Sequence, residues 1–276
     1  MSKTICIYHG NCADGFGAAY AMWHRYGKGV EYFPGVYQNE PPDVTGRIVY
    51  MLDFSYKRAV VEKMAEKAEA VMIIDHHKTA IDDLAPLVDA KVIDAVFDTE
   101  HSGAVLAWDY FRKGLMMPRL LNHIEDRDLW RFALDGTREI QANVFSYPYD
   151  FEVWHKLMTM NTADLREAGA AIERKHHKDI AELVQAFRHR RVIGGHNVPV
   201  ANLPYTLTSD AGHFMAQDEP FAACYWDTKE GRVYSLRSTD TGLDVSEIAK
   251  QYGGGGHRNA SGFRVPYSHE LAGPPA

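Results

Sequence analysis

Two imidazoles and a carboxylate follow one another directly after a short apolar run in this sequence. Asp75, His76 and His77 come immediately after the apolar residues 72–74. Imidazole and carboxylate together suit manganese, iron or zinc, and an aspartate next to a ligating histidine often orients the ring. The triplet therefore predicts a metal site in which Asp75 orients the imidazoles, although adjacent histidines can also simply end a strand.

Two further acids stand at comparable points upstream. The segment 9–19 begins with His9 and carries Asp14 at the entry to a predicted helix. A carboxylate there can hold a cation close to the backbone, and the first-turn N–H groups can meet a phosphate oxygen. Asp53 follows the apolar run 47–52, and taken alone it could be the N-cap of the next helix.

The elements that position these side chains alternate between strand and helix. Apolar spacing predicts strands over 4–8, 47–52, 71–74 and 92–96, and helices over 15–26, 56–68 and 102–113. This order is typical of an α/β fold with a mostly parallel sheet covered on both faces. Such sheets bind ligands beyond the carboxyl ends of their strands. His9, Asp53 and Asp75 each end a predicted strand, so we expect them at one edge.

The second half of the chain has a different pattern. A period near 3.6 over 162–190 predicts one long helix. After it come short strand-like runs at 198–202, 221–226 and 233–236, then a helix near 245–251, which indicates a smaller mixed α/β domain. The predicted organisation is a metal-binding catalytic domain over 1–160, a linker helix over 161–190 and a substrate-binding domain over 191–276.

Composition and charge narrow the classes of ligand. The formal net charge is −7, whereas a sequence-blind binder of duplex DNA presents a basic face, so long duplex DNA is not expected as a substrate. The three cysteines, Cys6, Cys12 and Cys224, have no CxxC spacing, which argues against a disulfide framework or a zinc ribbon. No membrane-length apolar run and no signal-peptide pattern is present, so we expect a cytoplasmic protein without membrane association.

In their order along the chain these motifs resemble the DHH superfamily of phosphoesterases. The likeness rests on the histidine strand, the Ala-Asp-Gly turn, the strand-end Asp53, the Asp-His-His triplet and the late Gly-Gly-Gly-Gly-His run at 253–257. It spans nearly the whole chain. The Ser-Leu-Arg-Ser strand at 235–238 and the glycine run are similar to the DHH-associated C-terminal domain.

The resemblance implies two divalent cations, commonly manganese, with a metal-activated water attacking phosphorus. The residues that match family ligands by position are His9, Asp14, Asp53, His76 and Asp126. Asp53 is the expected bridge between the ions. The segment 124–130 offers two acids for the fourth motif, and we select Asp126, with Asp128 as the second choice; an Arg/Asp surface network is the alternative for this segment.

The resemblance also assigns roles beyond the ligands. His77 is expected to contact the phosphate or assist the leaving group, beside the orienting Asp75. Cys12 stands where many relatives have an aspartate, so the ion near His9 is expected to bind more weakly, to use water, or to use Cys12 as a soft ligand.

Substrate binding is expected in the C-terminal domain. Glycines allow close approach of the backbone, and histidine and arginine side chains can pair with phosphate or stack on a base. The expected residues are Arg237, Ser238, Gly254, Gly255, Gly256, His257 and Arg258. The competing interpretation of the glycine run is a flexible hinge.

The activity that fits best is hydrolysis of short oligoribonucleotides or linear dinucleotides to mononucleotides. The alternatives are a phosphatase acting on 3′-phosphoadenosine 5′-phosphate and a non-catalytic nucleotide-binding module, which only Cys12 favours. A homodimer could form through Trp108, Tyr110 and Phe111, but these residues serve equally well in a core, so the oligomeric state stays open.

Overall fold

The computed structural model describes residues 3–37 and 39–273. The chain divides into two compact units, Met1–Glu173 and Arg174–Ala276, which are described separately. Among the described residues, no helix has both the length and the apolar character needed to cross a membrane.

The first unit is built on a five-stranded parallel sheet in the order β2-β1-β3-β4-β5. Its strands are β1 (Thr4–His9), β2 (Glu31–Gly35), β3 (Ile48–Leu52), β4 (Ala70–Asp75) and β5 (Asp94–Phe97). Its helices are α1 (Ala13–Tyr26), α2 (Arg58–Ala65), α3 (Lys78–Asp89), α4 (Gly103–Phe111), α5 (Arg119–Asp128), α6 (Thr137–Val144) and α7 (Phe151–Thr159). The expected doubly covered α/β sheet is confirmed.

Alternating side chains of the strands supply two separate cores. In β1, Cys6 packs with the helices α1 and α4 to α7, whereas Ile5 and Ile7 pack on the opposite face with α2 and α3. Successive residues of a strand point to opposite faces, so a strand buried on both sides reads as a continuous apolar run. The parallel pairing of these buried strands places their carboxyl ends at one edge of the sheet.

Two features of the first unit were not predicted from the sequence. Strand β2 was missed because it contains Pro34 and Gly35; it lies at the edge of the sheet, where proline is tolerated. In α4, Trp108 and Phe111 are buried in the core and only Tyr110 is exposed. The helix therefore does not present these three residues together as an apolar surface.

The second unit contains a six-stranded mixed sheet in the order β10-β11-β9-β8-β7-β6. Its strands are β6 (His189–Ile193), β7 (His196–Asn202), β8 (Ala222–Thr228), β9 (Gly231–Arg237), β10 (Gly255–Gly256) and β11 (Ala260–Val265), and its helices are α9 (Thr208–Met215) and α10 (Val245–Lys250). Among the described strands of this second sheet, only β7 and β8 pair in parallel, and α9 connects them. A smaller mixed α/β unit is thus confirmed.

The long helix α8 (Thr162–Phe187) is present, but the division between the units falls within it. Leu165 lies in the core of the first unit, whereas Ile180 and Val184 lie in the core of the second. The helix contributes to both cores, and the linker predicted over 161–190 stays a prediction.

Candidate metal centre

The strand-end residues meet at the carboxyl edge of the first sheet. His9 ends β1, Asp53 follows β3 and His76 follows β4, and these three strands are adjacent in the sheet. Asp14 reaches the same place from the first turn of α1. Asp14, Asp53 and His76 are each 1% exposed, so the parallel sheet concentrates acid and imidazole groups in a buried position.

Asp53 lies at the centre of this group. Its Oδ1 is 3.1 Å from His76 Nε2, and its Oδ2 is 3.4 Å from His9 Nδ1. Both oxygens are buried and have no hydrogen-bond partner among the described residues. Its backbone is left-handed (φ 53°) while its N–H still donates to Ile74 O at 2.8 Å. A buried, unsatisfied carboxylate on a strained backbone is costly and typical of a functional site.

Asp14 is fixed by the start of α4. Its two carboxylate oxygens accept hydrogen bonds from Gly103 N at 2.7 Å and Ala104 N at 3.0 Å, and its Oδ2 is 3.6 Å from His76 Nε2. A Cβ on Gly103 would lie 2.4 Å from the Asp53 Cβ. Glycine is therefore required where α4 begins, because any side chain would push the helix away from both acids.

Asp126 and Asp128 lie in different surroundings, and which of them binds a metal stays a prediction. Asp128 Oδ2 is buried, has no hydrogen-bond partner in the described part of the chain, and lies 3.4 Å from His76 Nε2. The carboxylate of Asp126 instead accepts three hydrogen bonds, at 2.8, 3.0 and 2.6 Å, from Ala133 N, Leu134 N and Thr137 Oγ1. Asp126 is thus not brought to the cluster, since its oxygens stabilise the connection between α5 and α6, and Asp128 takes its position.

Asp75 makes the contacts expected of an orienting carboxylate. Its Oδ1 accepts hydrogen bonds from the backbone N–H groups of His76 and His77, at 2.8 and 3.2 Å, and lies 2.7 Å from His77 Nδ1. Because an ionised carboxylate only accepts, His77 carries its proton on Nδ1, and Nε2 is the basic nitrogen of the ring.

Two sets of ligand atoms share Asp53. His9, Asp53 and His77 form one set and Asp14, Asp53 and His76 the other, with all atoms of each set within 4.8 Å of one another. Carboxylate and imidazole groups suit manganese, iron or zinc. Such an ion would satisfy the Asp53 oxygens, which have no hydrogen-bond partner among the described residues. The residues present therefore fit a divalent cation. His77 was not expected as a ligand, and its place in the first set could not be read from adjacency in sequence.

Burial and neighbouring charges shift the pKa values of the acids in the cluster. Burial raises the pKa of Asp14 well above its ordinary value, and the charges of Asp53 and Asp128 raise it further. Burial likewise raises the pKa of Asp128, with His76 opposing and Asp53 adding to the shift. For Asp53, burial also acts to raise the pKa, but the imidazoles of His76 and His9 outweigh it and hold the pKa below its ordinary value.

In the imidazoles, neighbouring groups outweigh the effect of burial on the pKa. Burial acts to lower the pKa of His76, but Asp53, Asp128 and Asp14 outweigh it and raise the pKa well above 6.5. Burial also acts to lower the pKa of His9, and Cys12 and Asp53 outweigh it. Without a metal ion, the cluster therefore holds protons in place of a cation.

These shifts predict how the stability of the metal-free protein depends on pH. The raised pKa of His76 contributes stability that is complete below 6.5 and is lost as the pH rises through the folded-state value. The lowered pKa of Asp53 is already fully effective at neutral pH. We expect the melting temperature of the protein in EDTA to fall as the pH rises above about 6.5, and added Mn²⁺ to raise it most at the high end, because ligands must lose protons to bind a metal.

A thermal scan across this pH range, with EDTA or with Mn²⁺, measures the effect. The His76→Gln variant is the matched control, and its slope with pH should be shallower in EDTA. Equal slopes for both proteins, or equal stabilisation by Mn²⁺ at every pH, would contradict the assignment of the cluster.

The glycine run of the second unit is an ordered part of its sheet. Gly255 and Gly256 form β10, and a Cβ on Gly254 would lie 2.1 Å from Gly262 O. These glycines allow β10 to pack against β11, so the interpretation of the run as a flexible hinge is wrong. His257 continues the turn by donating its N–H to Ala260 O at 2.8 Å.

The two arginines expected to bind substrate are held by their own unit. Arg237 donates to Ser209 Oγ at 2.7 Å and to Ser235 Oγ at 2.9 Å. Arg258 Nη2 donates to two backbone carbonyls of the 240–242 turn, both at 3.2 Å. Ser238 is 1% exposed, and its Oγ donates to the carbonyl of Arg258. Their part in binding substrate stays a prediction.

Comparison with known proteins gives relatives over nearly the whole chain, although no family model matches. An uncharacterized protein, R106, of Acanthamoeba polyphaga mimivirus is 33% identical over 94% of this chain and 66% of its own length, so the chain spans just under two thirds of that relative. The oligoribonuclease NrnB of Bacillus subtilis is 24% identical over 94% of this chain and 72% of its own length.

Structural comparison aligns solved structures with nearly the whole chain. A pGpG-specific phosphodiesterase, PggH, of Vibrio cholerae aligns with a TM-score of 0.46 and 14% identity over 96% of this chain and 94% of its own. RecJ of Thermus thermophilus, solved in complex with Mn²⁺, aligns with a TM-score of 0.48 and 15% identity over 98% of this chain and 50% of its own.

Proposed function

We propose that the chain is a phosphoesterase of the DHH superfamily and that it hydrolyses short oligoribonucleotides or linear dinucleotides to mononucleotides in a metal-dependent reaction. The observation that carries this proposal is the buried Asp53 carboxylate, which lies between His9 and His76 and has no hydrogen-bond partner within residues 3–37 and 39–273. An acid and imidazole cluster of this kind suits a divalent cation better than a general acid–base pair.

The cation we propose is Mn²⁺, in two positions that share Asp53. His9 would hold one ion and Asp14, His76 and Asp128 the other, which leaves His77 to act on the leaving group. A divalent cation in such a site supplies Lewis-acid chemistry, polarising a phosphoryl oxygen and making water a stronger nucleophile at neutral pH. The exposure of the His9 and Asp128 side chains, 24% and 25%, leaves one side of the cluster open for a phosphodiester.

His77 and Asp75 are proposed to handle the proton of the leaving group. Hydrolysis joins the water oxygen to phosphorus and breaks the bond to one nucleoside oxygen, which must gain a proton. His77 can donate from Nε2, since Nδ1 is fixed by Asp75 at 2.7 Å. The buried charge of Asp75 stabilises the imidazolium needed before this transfer.

Two observations support a short substrate. The related oligoribonuclease NrnB matches 94% of this chain, and its name specifies oligoribonucleotides. The net charge of −7 disfavours the many phosphate contacts that hold a long strand. We propose that the C-terminal residues expected from the sequence bind the remaining nucleotides, with Arg237 and His257 as the main side chains.

The test is turnover of a substrate panel with added Mn²⁺, with products resolved by chromatography. The panel contains a linear diribonucleotide, a five-residue RNA, 3′-phosphoadenosine 5′-phosphate, a cyclic dinucleotide and pyrophosphate. We expect mononucleotides from the first two. Phosphate released only from 3′-phosphoadenosine 5′-phosphate would reassign the substrate, and binding without turnover of any member would indicate a non-catalytic nucleotide-binding module.

A further inference from the structure

Aromatic rings and guanidinium groups alternate at the end of α5, in its connection to α6 and directly after α6. The Arg127 guanidinium lies 4.7 Å from the Phe145 ring and 5.7 Å from the Trp130 ring. Arg138 lies 3.6 Å from the Phe132 ring and 6.0 Å from the Trp130 ring. The Trp130 and Phe132 rings meet edge to face at 4.9 Å. We refer to these five residues as the aromatic–arginine platform.

The backbone that carries the two central rings is strained. Trp130 and Phe132 have φ values of 56° and 47°, in the left-handed region that large aromatic residues rarely adopt. The strain is sustained by Asp126, whose carbonyl accepts from Arg131 N and Phe132 N, at 2.8 and 3.2 Å. Strain of this kind persists where surrounding structure enforces it, and it is concentrated at ligand sites.

The hydrogen bonds of Asp126 make the cation–π pairs unnecessary for holding this loop. Its carboxylate also bonds the next turn, through Thr137 Oγ1 at 2.6 Å. His123 Nδ1 lies 2.8 Å from the same hydroxyl, and burial lowers the pKa of His123. A neutral His123 therefore donates to Thr137, which donates to Asp126. This chain of bonds holds the loop in the conformation that presents the Trp130 and Phe132 rings.

The platform is accessible and close in sequence to the proposed ligand Asp128. The Phe145 side chain is 44% exposed, and a cleft of about 400 Å³ is lined by residues 132–139. Trp130 follows Asp128 by two residues, so their Cα atoms are at most roughly 7 Å apart. That separation is comparable with one nucleotide step of an extended strand.

We propose that the aromatic–arginine platform stacks a base of the substrate, next to the phosphodiester that is cut. This inference rests on the proposed function. It specifies that the nucleotide next to the scissile bond carries a base that the protein recognises. Aromatic rings and arginine planes are the groups on which proteins stack unpaired bases, and the arginines also attract the adjoining phosphate.

The test compares the affinities of a diribonucleotide and of its analogue that lacks one base. Binding is measured with Ca²⁺ replacing Mn²⁺, for the wild type and for Phe145→Leu and Arg138→Gln. Both substitutions keep part of the packing while removing a stacking plane. We expect each substitution to lower the affinity for the diribonucleotide by about 5-fold or more. Each should also reduce the ratio of this affinity to the affinity for the abasic analogue.

Tyr26→Leu is the matched control. Tyr26 is also 44% exposed and has an arginine over its ring, at 5.2 Å, but it ends α1, about 18 Å along the helix from Asp14. Its variant should bind both ligands like the wild type. Thermal unfolding of each variant verifies that it is folded.

The outcomes separate this inference from the proposed function. The inference would be overturned if Phe145→Leu and Arg138→Gln bound both ligands as tightly as the wild type does. It would also be overturned if the wild-type protein bound the abasic analogue as tightly as the diribonucleotide. Loss of the base preference in both variants would support it. Wild-type turnover with Mn²⁺ in a parallel assay reports separately on the proposed function.

Discussion

Asp53→Asn is expected to remove hydrolysis of a diribonucleotide almost completely, lowering turnover by roughly 10³-fold or more. The substitution removes the negative charge that lies against both His9 and His76, and an amide offers one oxygen in place of two. Binding of Mn²⁺, followed by calorimetry, should be lost together with the increase in melting temperature that the ion gives the wild type.

The folded state should survive this substitution. Asp53 repels Asp14 and Asp128 in the metal-free protein, so neutralising it offsets part of the lost ion pairing. Asp94→Asn is the control, because Asp94 is exposed and is the first residue of β5. It therefore lies at the amino ends of the strands, whereas the cluster lies at their carboxyl ends. Unchanged Mn²⁺ affinity in Asp53→Asn would show that the cluster is not the metal centre.

Asp128→Asn and Asp126→Asn are expected to fail in different ways. Asp128→Asn should lower Mn²⁺ affinity and reduce turnover by about 100-fold or more, with little change in the free energy of unfolding. Asp126→Asn should lower the free energy of unfolding by about 2–4 kcal/mol, because a buried amide cannot accept all three hydrogen bonds that the carboxylate accepts. Its Mn²⁺ affinity should stay near that of the wild type.

Each variant of the pair is the control for the other. Denaturant unfolding measures stability and calorimetry measures Mn²⁺ binding on the same preparations. The reverse result, with Mn²⁺ binding lost in Asp126→Asn and kept in Asp128→Asn, would restore the choice made from the sequence and contradict the structure.

The sequence predicted the strand-end residues because simple geometry governs them. Buried strands of a parallel sheet end at a common edge, so His9, Asp53 and Asp75 were expected together before any contact was known. The α5 end could not be resolved in the same way. Residues 126 and 128 are separated by about 200° around a helix, so only one can face the cluster, and nothing in the sequence says which.

Other features depend on contacts that a linear pattern does not contain. Arg127 lies in α5 and Phe145 directly follows α6, so their contact joins distant parts of the sequence. Trp130 takes its position from a left-handed backbone. The edge strand β2 was hidden by Pro34, which a strand pattern normally excludes. Tertiary hydrogen bonds and sheet position decide these features.

The most direct test of the central claim is a time course of diribonucleotide hydrolysis by wild-type protein, first in EDTA and then after Mn²⁺ is added in excess. Asp53→Asn is run in parallel. The proposed function predicts no mononucleotide in EDTA, rapid formation after Mn²⁺ is added, and no formation by the variant. Equal hydrolysis before and after addition, or equal hydrolysis by the variant, would contradict it.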